Sequence, residues 1–245
     1  MLQKIIDKKM LGANAIIGFY PANSIGDSIK LYKDENRNET LEVFHHLRQQ
    51  SEKDSNSAYN YFLSLADYIA PYESDLTDYV GGFAVTTGIG VEKWVKKYEA
   101  DHDDYNAIMI KILADRLAEA FAELMHHRVR KEFWGYSPNE NLSPEDIIKG
   151  KYQGIRPAIG YPACPEHSEK QVLFDLMDIE NKTGISLTEN FAMYPAASVS
   201  GFYFAHPQSR YFNLGKIDDE QLADYANRKG ISIDLAKKYL SVNLK

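Results

Sequence analysis

The sequence predicts an α+β domain whose sheet is largely antiparallel. Candidate strands follow one another as neighbours or hairpins as often as they alternate with helices, which disfavours a parallel doubly wound sheet. One long central stretch shows the apolar period of a helix packed on a core. No repeat, low-complexity tract or compositional break divides the chain, so residues 1–245 are read as one domain.

Residues 1–13 read as the end of a helix that turns at Gly12. Ala15-Ile16-Ile17-Gly18-Phe19-Tyr20 is an apolar run stopped by Pro21, the pattern of a buried strand. Turn residues at 22–27 lead into Ser28-Ile29-Lys30-Leu31-Tyr32, which alternates as a half-exposed strand does. Residues 40–50 fit either a helix with Leu41, Phe44 and Leu47 on one side or a strand followed by a loop. The polar stretch 51–57 breaks the pattern. Residues 66–70 and 79–86 read as strands, and the pair Gly81-Gly82 suggests a bulge or a close backbone approach. A helix with Val91, Trp94 and Val95 follows. Gly88-Ile89-Gly90 before it lacks the third glycine and the βαβ setting of a dinucleotide loop.

The strongest helix is expected over 104–133, with Met109, Leu113, Leu117, Phe121 and Leu124 as its apolar stripe. Asp115, Glu119, Ala122 and His126 fall on roughly the opposite face. That face reads as solvated, with a metal cluster or a docking surface as the alternatives. Ser143, with Pro144 behind it, caps a short helix closed by Gly150. Residues 169–184 form a further helix stopped by Gly184, and 191–194, 199–204 and 210–214 read as strands. Asp218 and Gln221 make a capping pair for a helix ending at Gly230, and Ser232 starts the last one.

A net charge of −7 disfavours general binding to nucleic-acid phosphates. No apolar run approaches the roughly 20 residues of a membrane span, and the N-terminus lacks the apolar core of a signal peptide. One cysteine cannot form an intramolecular disulfide and suits a reducing, cytoplasmic setting. The chain carries no Gly-x-Ser-x-Gly, no His-Glu-x-x-His and no phosphate-binding Walker loop. Cys164 and His167 have ligand-like spacing, yet no second pair completes a zinc site, so no metal is expected and Cys164 reads as a packed thiol.

The segment Arg156-Pro157-Ala158-Ile159-Gly160-Tyr161-Pro162-Ala163-Cys164-Pro165-Glu166-His167 stands apart. Its three prolines exclude a helix or an interior strand. It reads as a stiff extended ribbon with open backbone groups and one cation at its start. Such a ribbon suits a small zwitterionic or anionic ligand, and it equally suits a connector between two elements.

Further stretches extend the pattern: Pro21-Ala22-Asn23, His45-His46-Leu47-Arg48-Gln49-Gln50, His102-Asp103-Asp104-Tyr105-Asn106, the run 114–123, and Trp134-Gly135-Tyr136-Ser137-Pro138-Asn139-Glu140. Ala197-Ser198-Val199-Ser200-Gly201, His206-Pro207 and Tyr211-Phe212 complete it. Together with Gly154-Ile155 and the ribbon, in order over nearly the whole chain, they resemble the activation domain of cobalamin-dependent methionine synthase. That resemblance implies a C-shaped α+β domain with a twisted, largely antiparallel sheet flanked by helices. It also implies a shallow groove for S-adenosylmethionine. By matching position, Arg156 would bind the methionyl carboxylate and Ala158 would offer backbone contacts. Gly160 would permit close approach, Tyr161 would lie near the transferring methyl, and Tyr211 and Phe212 would form the second binding segment.

The implied function is reactivation: S-adenosylmethionine gives a methyl group when the cobalamin of the methyltransferase has oxidised to cob(II)alamin. Flavodoxin or a flavoprotein reductase gives the electron. Asp115, Glu119 and Tyr161 would meet the cobalamin-binding module, and no residue here needs to act as general acid or base. The family also uses an aspartate in an Asp-Trp-Thr-Pro-type segment, and this chain begins downstream of any such segment. The expectation is therefore an N-terminally truncated activation domain, weakened in ligand binding and not catalytic alone. The alternatives are a free-standing S-adenosylmethionine-dependent methyltransferase, disfavoured by the missing Gly-rich loop, and a docking domain that has lost its ligand.

Overall fold

The computed structural model describes residues 1–51 and 61–245. Helix α1 (Leu2–Asp7) leads into strands β1 (Gly12–Ile25), β2 (Ser28–Tyr32), β3 (Thr40–His45) and β4 (Asp78–Ile89). Helices α2 (Val91–Ala100), α3 (Asp104–Arg128), α4 (Pro144–Ile148), α5 (Glu169–Met177) and α6 (Ile179–Thr183) follow. The chain closes with β5 (Ser186–Leu187), β6 (Met193–Tyr194), β7 (Ser198–Tyr203), α7 (Asp219–Lys229) and α8 (Ile233–Tyr239). Five strands make one antiparallel sheet in the order β3-β2-β1-β4-β7, and β5 pairs with β6 separately. This is the expected α+β class.

Strand β4 is central. Phe83 lies opposite Ile17 of β1 on one side and Gly201 of β7 on the other. Its side chains alternate between two cores. Phe83 and Val85 join Tyr203 and the α3 residues Ala122 and Met125 on one face. Ala84 joins Phe202 and the α5 residues Leu173, Phe174 and Met177 on the other. Helices thus cover both faces, and β4 is buried almost throughout, like a strand of a covered sheet.

Several boundaries differ from expectation, each for a local reason. β1 runs on through Pro21, which sits where the strand has β4 as its one neighbour, just before pairing with β2 starts at Ala22. The 40–50 ambiguity resolves as a strand, β3. Residues 66–70 are not a strand: Leu65–Tyr68 is a 3₁₀ turn, started where Ser64 N donates to Asp67 Oδ2 at 2.9 Å. Pairing stays in register through Gly81 and Gly82, so they mark close approach and no bulge. A Cβ on Gly82 would lie 2.8 Å from Met177 Sδ. The 169–184 helix is two helices, broken at Asp178, whose φ of 55° is a left-handed conformation that aspartate tolerates. Residues 210–214 form a loop, since no strand pairs with them. The expected break at 51–57 lies, from 52 onwards, outside the described residues.

Helix α3 departs most from its predicted face. The residues pressed inward are Ala107, Ile110, Ala114, Ala118, Ala122 and Met125. Met109, Leu113, Leu117 and Phe121 flank that seam half-buried, and Leu124 is 54% exposed. Small side chains let the helix axis approach the sheet, so alanines take the inner row and bulkier residues wedge beside it. Asp115 and Glu119 are exposed as expected, whereas Ala122 and His126 are buried.

At the C-terminal end Asp218 caps α7 by accepting from Gln221 N at 2.9 Å. Gln221 does not complete a capping box. Its side chain accepts from Arg48 N and donates to Arg48 O, at 2.6 and 3.0 Å, which docks α7 on the segment after β3. No helix among the described residues is long and apolar enough to cross a membrane.

Candidate functional site

The prolines decide the shape of residues 156–167, and β7 decides their place. Ile155 and Phe204 exchange both backbone hydrogen bonds at 3.0 Å. Phe202 N donates to Pro157 O at 3.1 Å, and Ile159 N donates to Ser200 O at 3.3 Å. The ribbon therefore lies antiparallel beside β7, with odd-numbered residues bonded to the sheet. The backbone groups of Arg156 and Ala158 turn the other way. Arg156 N donates to Tyr211 Oη at 3.0 Å, and no described group accepts from Ala158 N–H. The approach is close because Gly201 stands opposite Ala158. A Cβ there would lie 2.2 Å from Pro157 O.

Beyond Ala158 the ribbon folds back. Tyr161 N donates to Ala158 O (3.3 Å), Cys164 N to Tyr161 O (2.8 Å), and Gly160 N to Cys164 O (2.8 Å). Pro162 takes the second position of the Tyr161–Cys164 turn, which suits its fixed φ. Gly160 has φ of 97°, and a side chain there would strike the His167 ring at 2.5 Å. Leu214 N donates to Pro162 O at 2.9 Å and brings the 210–214 loop alongside.

These segments enclose a cavity of ≈ 480 Å³. Arg156 to Ala158 and Tyr161 to Ala163 form one wall, Tyr211 to Asn213 a second, and Glu119 of α3 with Val199 of β7 the rest. The volume lies within the roughly 300–1,000 Å³ usual for small-ligand sites, and the lining is mostly apolar. Of the residues singled out in the sequence, Arg156, Ala158, Tyr161, Tyr211, Phe212 and Glu119 meet here. Gly160 shapes the turn without lining the cavity. Asp115, one turn before Glu119, opens on a different cavity of ≈ 340 Å³ beside Lys111, Tyr194 and Pro195.

Arg156 is held from behind. Its Nη1 lies 2.8 Å from Glu123 Oε2, 2.9 Å from Tyr152 Oη and 3.4 Å from His126 Nδ1. Burial works against its charge, but Glu123 and the tyrosine hydroxyls outweigh it and hold the guanidinium protonated. Burial, with Arg130 and Arg156 nearby, pushes the His126 pKa well below the usual value. His126 is therefore a neutral core residue, and its Nε2 lies 3.3 Å from Tyr136 Oη. The sequence marks His126 only as part of the face opposite the apolar stripe of α3, and it does not single out Glu123 or Tyr152. The one sequence signal that links two of them is the i, i+3 spacing of Glu123 and His126 on α3.

Cys164 and His167 do not converge. Cys164 Sγ lies 4.0 Å from His46 Nδ1, and burial pushes its thiol pKa up. His167 Nδ1 accepts from Lys170 Nζ at 2.8 Å. No group of three or more His, Cys, Asp or Glu among the described residues is arranged to hold a metal. The ribbon's far end is anchored by charge instead: Lys229 of α7 pairs with Glu166 at 2.9 Å and with Glu169, and Tyr225 Oη donates to Glu166 at 2.8 Å.

Fold and site together define an α+β domain in which a proline-stiffened ribbon beside the last sheet strand lines a cavity of small-ligand size. The chain belongs to the family described as vitamin B12 dependent methionine synthase, activation domain, which matches residues 1–230. A crystal structure of the MetH reactivation domain bound to AdoHcy is similar to it at TM-score 0.93 and 52% identity. The match covers 100% of this chain and 74% of that one.

Proposed function

We propose that this domain binds S-adenosylmethionine in the ribbon cavity and serves the reactivation of vitamin B12-dependent methionine synthase. One observation carries the reading: Arg156 lines the cavity, and its Nε and Nη2 donate to no group among the described residues. That pair of donors matches a carboxylate in fork geometry. The similar structure bound to AdoHcy supports the ligand class, because AdoHcy differs from the methyl donor by the methyl group alone. In this reading the outward Ala158 N–H and Arg156 C=O take polar edges of the ligand. Tyr211 and Phe212 close the facing wall, Gly160 keeps the turn tight, and the Tyr161 ring lies beside the sulfonium, where an aromatic face favours a cation.

Methyl transfer breaks the methyl–sulfur bond, and its electron pair stays on sulfur. Cobalamin on its own module supplies the methyl acceptor, and flavodoxin or a flavoprotein reductase supplies the electron. This chain contributes binding and orientation. Asp115 and Glu119 are exposed and Tyr161 is 59% exposed around the cavity mouths, where the cobalamin module docks.

Titration calorimetry with S-adenosylmethionine tests the proposal. The parent binds, and Arg156→Ala weakens binding by about 10–100-fold, as expected for loss of a charge-assisted contact, while its unfolding temperature is kept. No binding by the parent, or equal affinity in the variant, overturns it.

A further inference from the structure

Arg156 ends a line of alternating charges that runs inward from the cavity. Behind it, Glu123 places Oε2 2.8 Å from Arg156 Nη1, and its Oε1 stands 3.7 Å from Nη1 of Arg130. Arg130 is wholly buried and is gripped by Glu140 through two bonds of 2.8 and 2.9 Å, Nε to Oε2 and Nη2 to Oε1. The same guanidinium lies 4.0 Å from the centre of the Tyr152 ring, whose hydroxyl accepts from Arg156 Nη1. Arg130, held by Glu140, thus packs on Tyr152 and stands in ion-pair range of Glu123 without a hydrogen bond to it, and Glu123 and Tyr152 hold one nitrogen of Arg156.

A free arginine side chain turns about several bonds, so a carboxylate that uses it must order it. We infer that Glu123 is a positioning residue for ligand binding: it pins Nη1 of Arg156 so that the Nε–Nη2 edge is presented, already ordered, to the ligand's carboxylate. This rests on the reading that Arg156 takes that carboxylate. Tyr152 supports the same nitrogen but carries no charge. Glu123 is the one group within bonding reach of Nη1 whose charge opposes that of Arg156.

The test pairs protein variants with two ligands, S-adenosylmethionine and 5′-methylthioadenosine, which keeps the nucleoside and thioether but has no carboxylate. Glu123→Ala is expected to weaken S-adenosylmethionine by about 10–100-fold and to leave 5′-methylthioadenosine within about threefold. Glu123→Gln, which keeps an oxygen for Nη1 but not the charge, restores part of the loss. Glu123→Asp keeps the charge beside Arg130 but draws the oxygens back by one methylene. It shows the same selective loss, and it stands in for the alanine variant should that one fail to fold.

Arg156→Ala separates the two claims. If it weakens both ligands alike, or neither, the carboxylate reading falls. If its loss is confined to S-adenosylmethionine while Glu123→Ala and Glu123→Asp bind as the parent does, or lose both ligands equally, that reading stands and the positioning role is overturned.

Discussion

Gly201→Ala should separate the ribbon from the sheet. The added Cβ would lie 2.2 Å from Pro157 O and 2.8 Å from Ala158 Cα, both backbone atoms that no rotamer change can remove. Restoring ordinary contact moves the ribbon out by roughly an ångström. The bonds from Phe202 N to Pro157 O and from Ile159 N to Ser200 O, 3.1 and 3.3 Å in the parent, then fall beyond hydrogen-bond reach. Two lost bonds at about 0.5–1.5 kcal/mol each, with about 1–3 kcal/mol of overpacking, give a destabilisation of about 2–6 kcal/mol. For a chain of this size that lowers Tm by roughly 4–24 °C. The displaced wall should also weaken S-adenosylmethionine by at least about tenfold, or about 1.4 kcal/mol. Scanning calorimetry reads the first effect and titration calorimetry the second. The neighbouring Ser200→Ala is the control: its buried hydroxyl has no hydrogen-bond partner among the described residues, so its removal leaves both readings near those of the parent. A Gly201→Ala protein that melts within about a degree of the parent and keeps its affinity would refute the placement of the ribbon on β7.

Two further outcomes follow from buried charge. Lys229→Met removes the cation shared by Glu166 and Glu169 and should destabilise by about 3–5 kcal/mol at neutral pH. Burial already raises the Glu169 pKa above the carboxylate value, so stability from its proton is present at low pH and lost as pH rises through the folded pKa. The variant's deficit, measured by urea unfolding, should therefore shrink from pH 7 towards pH 5; a deficit that stays constant with pH contradicts the charge account. His46 is fully buried, and burial, with Arg228 and His45 adding to it, holds its pKa at about 3 against an ordinary 6.5. Its folded pKa is depressed, so the stability linked to it is present above pH 6.5 and lost as pH falls from there towards 3. The linked loss amounts to about 3 kcal/mol at pH 4. His46→Phe should flatten the stability profile between pH 7 and 4 by about that amount, and an unchanged slope would remove His46 as its source.

Legibility in the sequence followed the kind of physics involved. The ribbon was visible because proline, glycine and a lone arginine constrain the backbone whatever surrounds them, and the structure puts Arg156, Ala158 and Tyr161 on one cavity wall. Caps were visible for the same reason: Ser143 and Asp218 accept from Asp146 N and Gln221 N as their spacing implies. The inner face of α3 was not. Hydropathy ranks Leu and Met above Ala, whereas a helix laid close on a sheet selects small residues for its seam, here Ala114, Ala118 and Ala122. That rotation also hid Glu123, because a carboxylate on a helix reads as solvated until the buried Arg130 and the ribbon's Arg156 are seen on either side of it. The loop at 210–214 read as a strand from its aromatic residues. Its backbone–backbone tie to the ribbon, from Leu214 N to Pro162 O, is a tertiary contact that no local pattern encodes.

The ribbon's seat on β7 also bears on how the protein keeps its own copies apart. The last strand of an open sheet offers a row of free amides and carbonyls that another chain can extend, a route to aggregation. Here residues 155–159 occupy that row, and on the ribbon's outer side the Arg156 N–H is already given to Tyr211 Oη. An incoming strand would find few donors in register and a chain that folds back at Gly160. The backbone that lines the cavity is thereby closed to a second polypeptide, so growth of the sheet on the β7 side stops at the ribbon.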